Sequence, residues 1–432
     1  MMMMKKIEDI DEAGDCYNNK NKIIIHWSEL CRDMLDLIAS HLATPWDYMS
    51  FRGVCKSWRS LTPPLSRLPW LLLHDDPPTT RLCHFYSPLE DRVHSFDISE
   101  MSGRRFCCGY SKGWLVMFHE GTKKLSLLNP FSGGSIPLPL LPKLYPEDIS
   151  VGVHRKWRRS PRYIQKVILS KAPTSPDCII VIIFFCGYLG FCRPGDKTWI
   201  CLDMDYDGPF EDAVFFKDRL VAVSELGYIT EFDIGEQDED STTWDDVQSV
   251  RRPKDEQISE EQHFILTSPD GSQEEEQEMD NVKFYIVESC GGDLLLAVQL
   301  KHDNLSQGGE GIKNTTAEFL LFRLDNNTDH GRQWVRLEGL GDEALFLGKN
   351  ESRSIIIVAD DDSLHGLRKN CIYFTESEHG CFTGNTVDPH WDLDMGVYSL
   401  ENRSVSDYII SKKPYRIGGG KQVWESPPIW LN

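Results

Sequence analysis

From Trp70 onward the chain consists of short apolar runs, each closed by Gly, Asp, Asn or Pro, with no helical period between them. This feature constrains the fold more than any other. The runs are WLLL (70–73), GWLVMF (113–118), LSLLNP (125–130), KVILS (166–170), DCIIVIIFF (177–185), TWICLD (198–203), AVFF (213–216) and RLVAVS (219–224). They continue with YITEFDI (228–234), VKFYIVES (282–289), DLLLAVQL (293–300), EFLLFRL (318–324), ALFLG (344–348), SIIIVAD (354–360), CIYFT (371–375) and GVYSL (396–400). Four to eight β-branched and aromatic residues between turn formers make a strand, and a long series of them without helices makes an all-β domain. The most apolar stretch, CIIVIIFFCGYLGFC (178–192), is shorter than the ~20 residues of a spanning helix. Gly187 and Gly190 interrupt it, so it reads as a pair of buried strands.

A weak internal repeat refines the class. Trp199 is followed by EDAVFFKDRLVAV and Trp334 by DEALFLGKNESRSIIIV. In each, a Trp-bearing strand leads to an acidic pair, an Ala-aromatic strand, a charged turn and another apolar strand. A recurring multi-strand unit that can bury its faces only against its neighbours is the mark of a β-propeller. Length at ~45–50 residues per blade gives about seven blades, whereas the strand count gives five or six. The expectation is therefore a short helical unit followed by a propeller of about six or seven blades.

Charge locates the segments that do not join this core. Between Glu236 and Asp280 there are 16 Asp and Glu against Arg251, Arg252 and Lys254, so 13 of the chain's 21 net negative charges lie there. Such a stretch cannot bury enough surface to order itself and reads as a disordered insertion within the propeller domain, residues 64–432. Residues 1–25 read as a disordered acidic tail. The net charge of −21 argues against general affinity for nucleic acid or an anionic membrane.

Residues 26–63, HWSELCRDMLDLIASHLATPWDYMSFRGVCKSWRSLTP, are the one segment with helical periodicity. Ser28 can cap a first turn, after which Leu35, Ile38, Ala39 and Leu42 fall on one face. Thr44-Pro45-Trp46-Asp47 is a helix start, with an N-cap, a proline at the first position and an acid at the third. Beyond it, at ~100° per residue, Phe51, Val54, Cys55, Trp58 and Leu61 share an arc of roughly 120°, and Pro63-Pro64 ends the helix. Units under ~40 residues rarely stabilise themselves without a metal, a disulfide or a partner. The apolar side chains here exceed what three short helices can cover, so a second chain is expected to cover them.

The order of these features, a WS-x-L start, a D-x-L-x-x-I helix and D-Y-x-x-F-R-x-V-C-K-S-W-R-S, resembles the F-box over about 37 residues. The resemblance implies docking to a Skp-family adaptor and, through it, to a cullin and a RING protein in an SCF-type ubiquitin ligase. Carried over by position, Leu30, Leu35, Ile38, Leu42, Val54, Cys55 and Trp58 would make or support the adaptor interface, with Trp58 as its anchor. Cys31 stands where the family usually has proline, a departure that bears on adaptor affinity.

The remainder resembles the KIB-type domain that follows the F-box in many plant proteins. The matching stretches are PWLLL (69–73), CGYSKGWLV (108–116), LLNPFSGGSIPLP (127–139), FCRPGDKTWICLD (191–203), NCIYFTE (370–376), GVYSL (396–400) and SPPIW (426–430). That resemblance implies a propeller-like domain whose role is capture of a target protein, with no shared catalytic residues.

Sharper chemistry finds less support. Arg52, Lys56 and Arg59 beside an apolar arc read as a solvated flank in so acidic a chain. HRKWRRSPRYIQK (154–166), with Trp157 and Tyr163 interleaved, reads as a basic exposed loop, with an import signal or RNA contact as the alternatives. GGGK (418–421) lacks the Ser/Thr and the spaced glycine of a phosphate loop. Cys186 and Cys192 have no zinc-site companions. The acids Asp203, Asp205, Asp207, Asp360, Asp361 and Asp362 read as turn residues. No catalytic residue, cofactor or metal site is assigned. Thirteen cysteines without paired spacing fit a reducing interior, so the expected setting is soluble and intracellular, in nucleus or cytoplasm. The expectation is a non-catalytic ligase receptor; a propeller binding module or a propeller enzyme with a vestigial F-box is the rival.

Overall fold

The computed structural model describes residues 27–40, 51–61, 70–73, 82–87, 92–97, 105–130, 133–142, 163–185, 187–201, 209–232, 282–305, 312–328, 331–357, 367–377, 393–406 and 429–431. The chain forms two compact units, Met1–Ser66 and Arg67–Asn432. The tail 1–25, the helix start at 44–47, the acidic segment 236–280, the GGGK turn, Cys186 and all six candidate acids lie outside the described residues.

The larger unit is a six-bladed β-propeller. Blade 1 joins β1 (Trp70–Leu73), β2 (Leu82–Ser87) and β3 (Arg92–Asp97) to the last strand of the chain, β24 (Ile429–Leu431). Blade 2 is β4 (Arg105–Ser111), β5 (Trp114–His119), β6 (Lys124–Leu128) and β7 (Ser135–Pro137). Blade 3 is β8 (Ile164–Leu169), β9 (Ile180–Phe184), β10 (Leu189–Cys192) and β11 (Ile200–Cys201). Blade 4 has β12 (Phe210–Phe216), β13 (Arg219–Ser224) and β14 (Ile229–Phe232) among the described residues. Blade 5 is β15 (Val282–Glu288), β16 (Leu294–Leu305), β17 (Ile312–Thr328) and β18 (Gly331–Leu337). Blade 6 is β19 (Glu343–Leu347), β20 (Arg353–Ile356), β21 (Cys371–Ser377), β22 (Leu393–Ser399) and β23 (Ser404–Ser406).

The continuous apolar runs follow from burial on both faces of each blade, as successive side chains of a strand point to opposite sides. In β9, Ile180, Ile182 and Phe184 pack with Val116, Phe118, Leu125 and Leu127 of blade 2. The alternate residues Val181 and Ile183 pack with Phe210, Ala213, Leu220 and Ala222 of blade 4. Likewise Leu294, Leu296 and Val298 of β16 face blade 4, whereas Leu295 and Ala297 face Leu345, Leu347, Ile372 and Phe374 of blade 6. Leu71, Leu73 and Tyr86 of blade 1 meet Phe346, Tyr373 and Val397 of blade 6, which brings the ring round on itself. At about 1.5–3 kcal/mol for each large side chain buried, these layers between blades are the main source of cohesion.

Covalent order is closed by β24, which pairs antiparallel with β1 at Trp70↔Leu431, Leu71↔Trp430 and Leu72↔Ile429. The strands β24, β4, β8, β12, β15 and β20 each lie at an edge of their sheet, and from β24 to β20 each packs against the next. They therefore line the axis of the propeller.

The six blades agree with the strand count and fall short of the seven that length suggests. The two sequence repeats mark blade boundaries: Trp199 adjoins β11 and Trp334 lies in β18, the outermost strands of blades 3 and 5. The hairpins that follow are not equivalent. In blade 4 the first hairpin strand, β12, is innermost, whereas in blade 6 the second, β20, is innermost and β19 pairs parallel with β21.

The basic patch needs correction. Tyr163 is buried, with its hydroxyl donating to the Pro142 carbonyl, and Lys166 is buried against Asp212. Neither belongs to an exposed loop, and residues 154–162 lie outside the described residues.

Gly187 links the backbones of blades 3 and 4 by a hydrogen bond. Its N–H donates to Phe184 O at 2.7 Å and its carbonyl accepts from Phe210 N at 3.0 Å, with φ at +78°. A Cβ there would stand 2.3 Å from Pro209 Cβ and 2.7 Å from Phe210 N. Gly187→Ala is expected to destabilise the propeller on the order of 3 kcal/mol, from backbone strain and overpacking. Urea unfolding checks this, and an unchanged midpoint would refute it.

Candidate docking surface

In the smaller unit a 3-10 turn, Trp27–Glu29, precedes α1 (Arg32–Ser40), and residues 51–53 are helical ahead of α2 (Lys56–Leu61). The first helix begins later than the Ser28 cap implies. Ser28 lies within the 3-10 turn, and the Cys31 carbonyl accepts the first α1 bond, from Leu35 N at 3.2 Å. The second correction is larger: no single helix runs from 51 to 61. The helical bonds stop at Gly53, a residue that costs a helix about 1 kcal/mol relative to Ala, and resume after Cys55. The Cys55 thiol takes the N-cap role and accepts from Trp58 N at 3.4 Å.

That break decides which side chains meet. Leu35, Phe51 and Trp58 form the buried centre, with Leu30, Ile38 and Cys55 half-buried around it. The Phe51 and Trp58 rings lie 4.7 Å apart, and the indole Nε1–H donates to the Trp27 carbonyl at 2.6 Å. Trp58 is 7% exposed, so its indole is already out of water within the unit. Val54, which an unbroken helix would place beside Trp58, is 54% exposed.

Of the seven residues assigned by resemblance, Leu30, Leu35, Ile38, Cys55 and Trp58 thus gather in or around one small core and Val54 faces outward. Leu42 lies outside the described residues. The outward apolar surface consists largely of residues that the sequence reading did not assign: Trp27 at 64% exposure, Met34, Leu37 at 56% and Leu61. Their signal was available, since Met34 and Leu37 are three apart and extend the apolar arc of α1 to about 100° round the helix from Leu35 and Ile38. The charged groups around it add little. Arg32 and Asp36 pair at 3.6 Å across one helical turn, but exposed pairs of this kind are worth under about 1 kcal/mol. Among the described residues three apolar side chains make the buried core, while four large ones and Val54 remain in water. Burying each against another surface would return about 1.5–3 kcal/mol.

All ten described cysteines, eight of them in the propeller, are free thiols. Burial raises Cys107 and pushes Cys108 up to about 12, so these are core thiols rather than nucleophiles. Among the described residues no group of three His, Cys, Asp or Glu side chains gathers to hold a metal, and no helix is long and apolar enough to cross a membrane.

Known proteins supply the context for both units. F-box protein SKIP23 of Arabidopsis thaliana is 24% identical to this chain over 94% of it and 96% of that protein. F-box protein At2g17036 of the same plant is 23% identical, covering 94% of this chain and 95% of its own. The F-box/kelch-repeat protein At1g57790, also from Arabidopsis thaliana, is 25% identical over 94% of both chains. The N-terminal helices are consistent with the F-box that these relatives are named for. The sequence profile of the KIB1-4 beta-propeller matches residues 85–399, from β2 to the end of β22. The chain belongs to the KIB1-4 beta-propeller family.

Proposed function

We propose that this protein is a substrate-receptor subunit of an SCF-type ubiquitin ligase, its helical unit docking on a Skp-family adaptor and its propeller holding a target protein. The observation that carries the reading is the imbalance in the smaller unit. Leu35, Phe51 and Trp58 are buried, while Trp27, Met34, Leu37, Val54 and Leu61 stand in water. In this reading Leu35 and Trp58 hold the frame, Leu30, Ile38 and Cys55 support it, and Val54 makes contact. Leu42 completes the set by its place in the motif.

The receptor is non-catalytic. It accelerates ubiquitin transfer by raising the concentration of target lysines beside a charged conjugating enzyme, an effect of proximity. The role belongs to the nucleus or cytoplasm, where the ten described cysteines stay reduced.

Reconstitution tests it. Full-length protein with adaptor, cullin, RING protein and conjugating enzymes is expected to acquire ubiquitin on its own lysines, and a chain lacking residues 26–63 is not. Adaptor binding without cullin-dependent conjugation would reject the ligase role in favour of sequestration.

A further inference from the structure

The turn between β19 and β20, residues 348–352 with sequence GKNES, reads in the sequence as a charged turn. Yet Lys349, Asn350 and Ser352 are buried. Buried polar groups require partners; Asn350 Nδ2 donates to the neighbouring Glu351 carbonyl at 2.7 Å, whereas the partners of Glu351 and Ser352 come from across the ring. Glu351 N donates to the Tyr110 carbonyl at 3.1 Å, and its carboxylate accepts from Ser111 Oγ and Lys112 Nζ, both at 2.7 Å. Ser111 Oγ in turn accepts from Leu169 N at 2.9 Å. Lys166 Nζ donates to Ser352 Oγ at 2.7 Å and forms an ion pair with Asp212. Ser352 Oγ donates to Asp212 Oδ2 at 2.7 Å, and the same oxygen accepts from Ile286 N at 3.2 Å. Tyr110 and Ser111 lie on β4, Lys166 on β8, Asp212 on β12 and Ile286 on β15, the innermost strands of blades 2, 3, 4 and 5.

A segment of blade 6 therefore spans the axis, bonds directly to blades 2, 3 and 4, and reaches blade 5 through Asp212. Space at its root is tight: a Cβ on Gly348 would lie 2.5 Å from Thr375 Oγ1 and 3.2 Å from Asn350 Oδ1. Burial lowers the Lys166 ammonium below its ordinary value while Asp212 opposes that shift, as expected of an ion pair well away from water.

We infer that residues 348–352 are a bolt across the propeller's axis, a conformational lock that holds blades 2–6 together independently of the β24–β1 closure. Propeller closure through pairing of the terminal strands is then one of two fastenings. The first secures blade 1, and the second secures the rest of the ring through Glu351, Ser352, Lys166 and Asp212.

Hydrogen exchange on four versions of the otherwise complete chain tests this: wild type, Lys166→Met, a chain ended at Pro428 so that β24 is removed, and the two changes combined. Ending at Pro428 is expected to expose the amides of β1–β3 while β5, β9, β13 and β16 keep their protection. Lys166→Met leaves Asp212 buried without its cation, and in the shortened chain it is expected to speed exchange in β9 and β13 on the order of a hundredfold. The same change in the full chain should cost clearly less, because β24 still fastens the ring. Failure of the shortened chain to fold, or equal effects of Lys166→Met in both backgrounds, would overturn the bolt. Failure of only the combined variant to fold would support it.

Discussion

Trp58→Ala is expected to abolish the folded state of the N-terminal unit while the propeller unfolds where it did before. The indole is the largest member of a three-residue core, packs on Phe51 at 4.7 Å and ties α2 to the 3-10 turn through the bond to the Trp27 carbonyl. Removing a buried tryptophan costs about 3–5 kcal/mol. A segment this short has no such reserve, since domains of its size are marginal even when intact. Among the described residues nothing else can take over, because Leu35 and Phe51 would then face a cavity. Calorimetry of the full chain checks the result: the transition of residues 27–61 disappears and the propeller transition stays. In the proposed role, adaptor capture is expected to be lost too, through loss of the frame rather than of a contact. A variant that melts normally would show that the small core does not rest on Trp58.

The β class was legible because burial on both faces leaves nothing polar in the middle of a blade. β9, β13 and β16 read directly as uninterrupted apolar runs, and they are the strands that sit between two apolar layers. β4 was not legible, as RFCCGYS carries a glycine and a bulge between Cys107 and Gly109. The terminal strand β24 has only three residues, and its role depends on β1, which lies at the other end of the propeller. β3, β7 and β23 are short or mixed with His, Ser and Arg and are the outermost strands of their blades, where one polar face is tolerated, whereas β2 lies inside blade 1 and is broken in sequence by His84 and Ser87, both buried. The bolt escaped for a different reason. GKNES looks like a turn because its residues are polar, and only partners on β4, β8 and β12 make it an interior segment.

In the candidate site the apolar residues were legible and their directions were not. Periodicity placed Val54 and Trp58 on one arc because it assumed a continuous helix. Gly53 and the Cys55 cap interrupt that helix, turning Trp58 inward and Val54 outward. The division separates two effects that an alanine scan of the motif would confuse. Changes at Leu35 or Trp58 act on folding, and changes at Leu37 or Val54 act on the surface that a partner would cover.

That surface is the second large prediction. Leu37→Asp with Val54→Asp places two charges on residues more than half exposed, so the unit keeps its fold and its far-UV dichroism. A partner that buries those positions must then desolvate two unpaired carboxylates, which is expected to weaken binding by at least ~100-fold, about 2.7 kcal/mol.

The affinity of the purified full-length protein for a Skp-family adaptor, measured by titration for the wild type and for Leu37→Asp/Val54→Asp, tests the receptor role most directly. The expected result is saturable one-to-one binding by the wild type and a loss of at least ~100-fold in the doubly substituted chain, with both melting alike. Equal affinities, or no binding by the wild type, would contradict it.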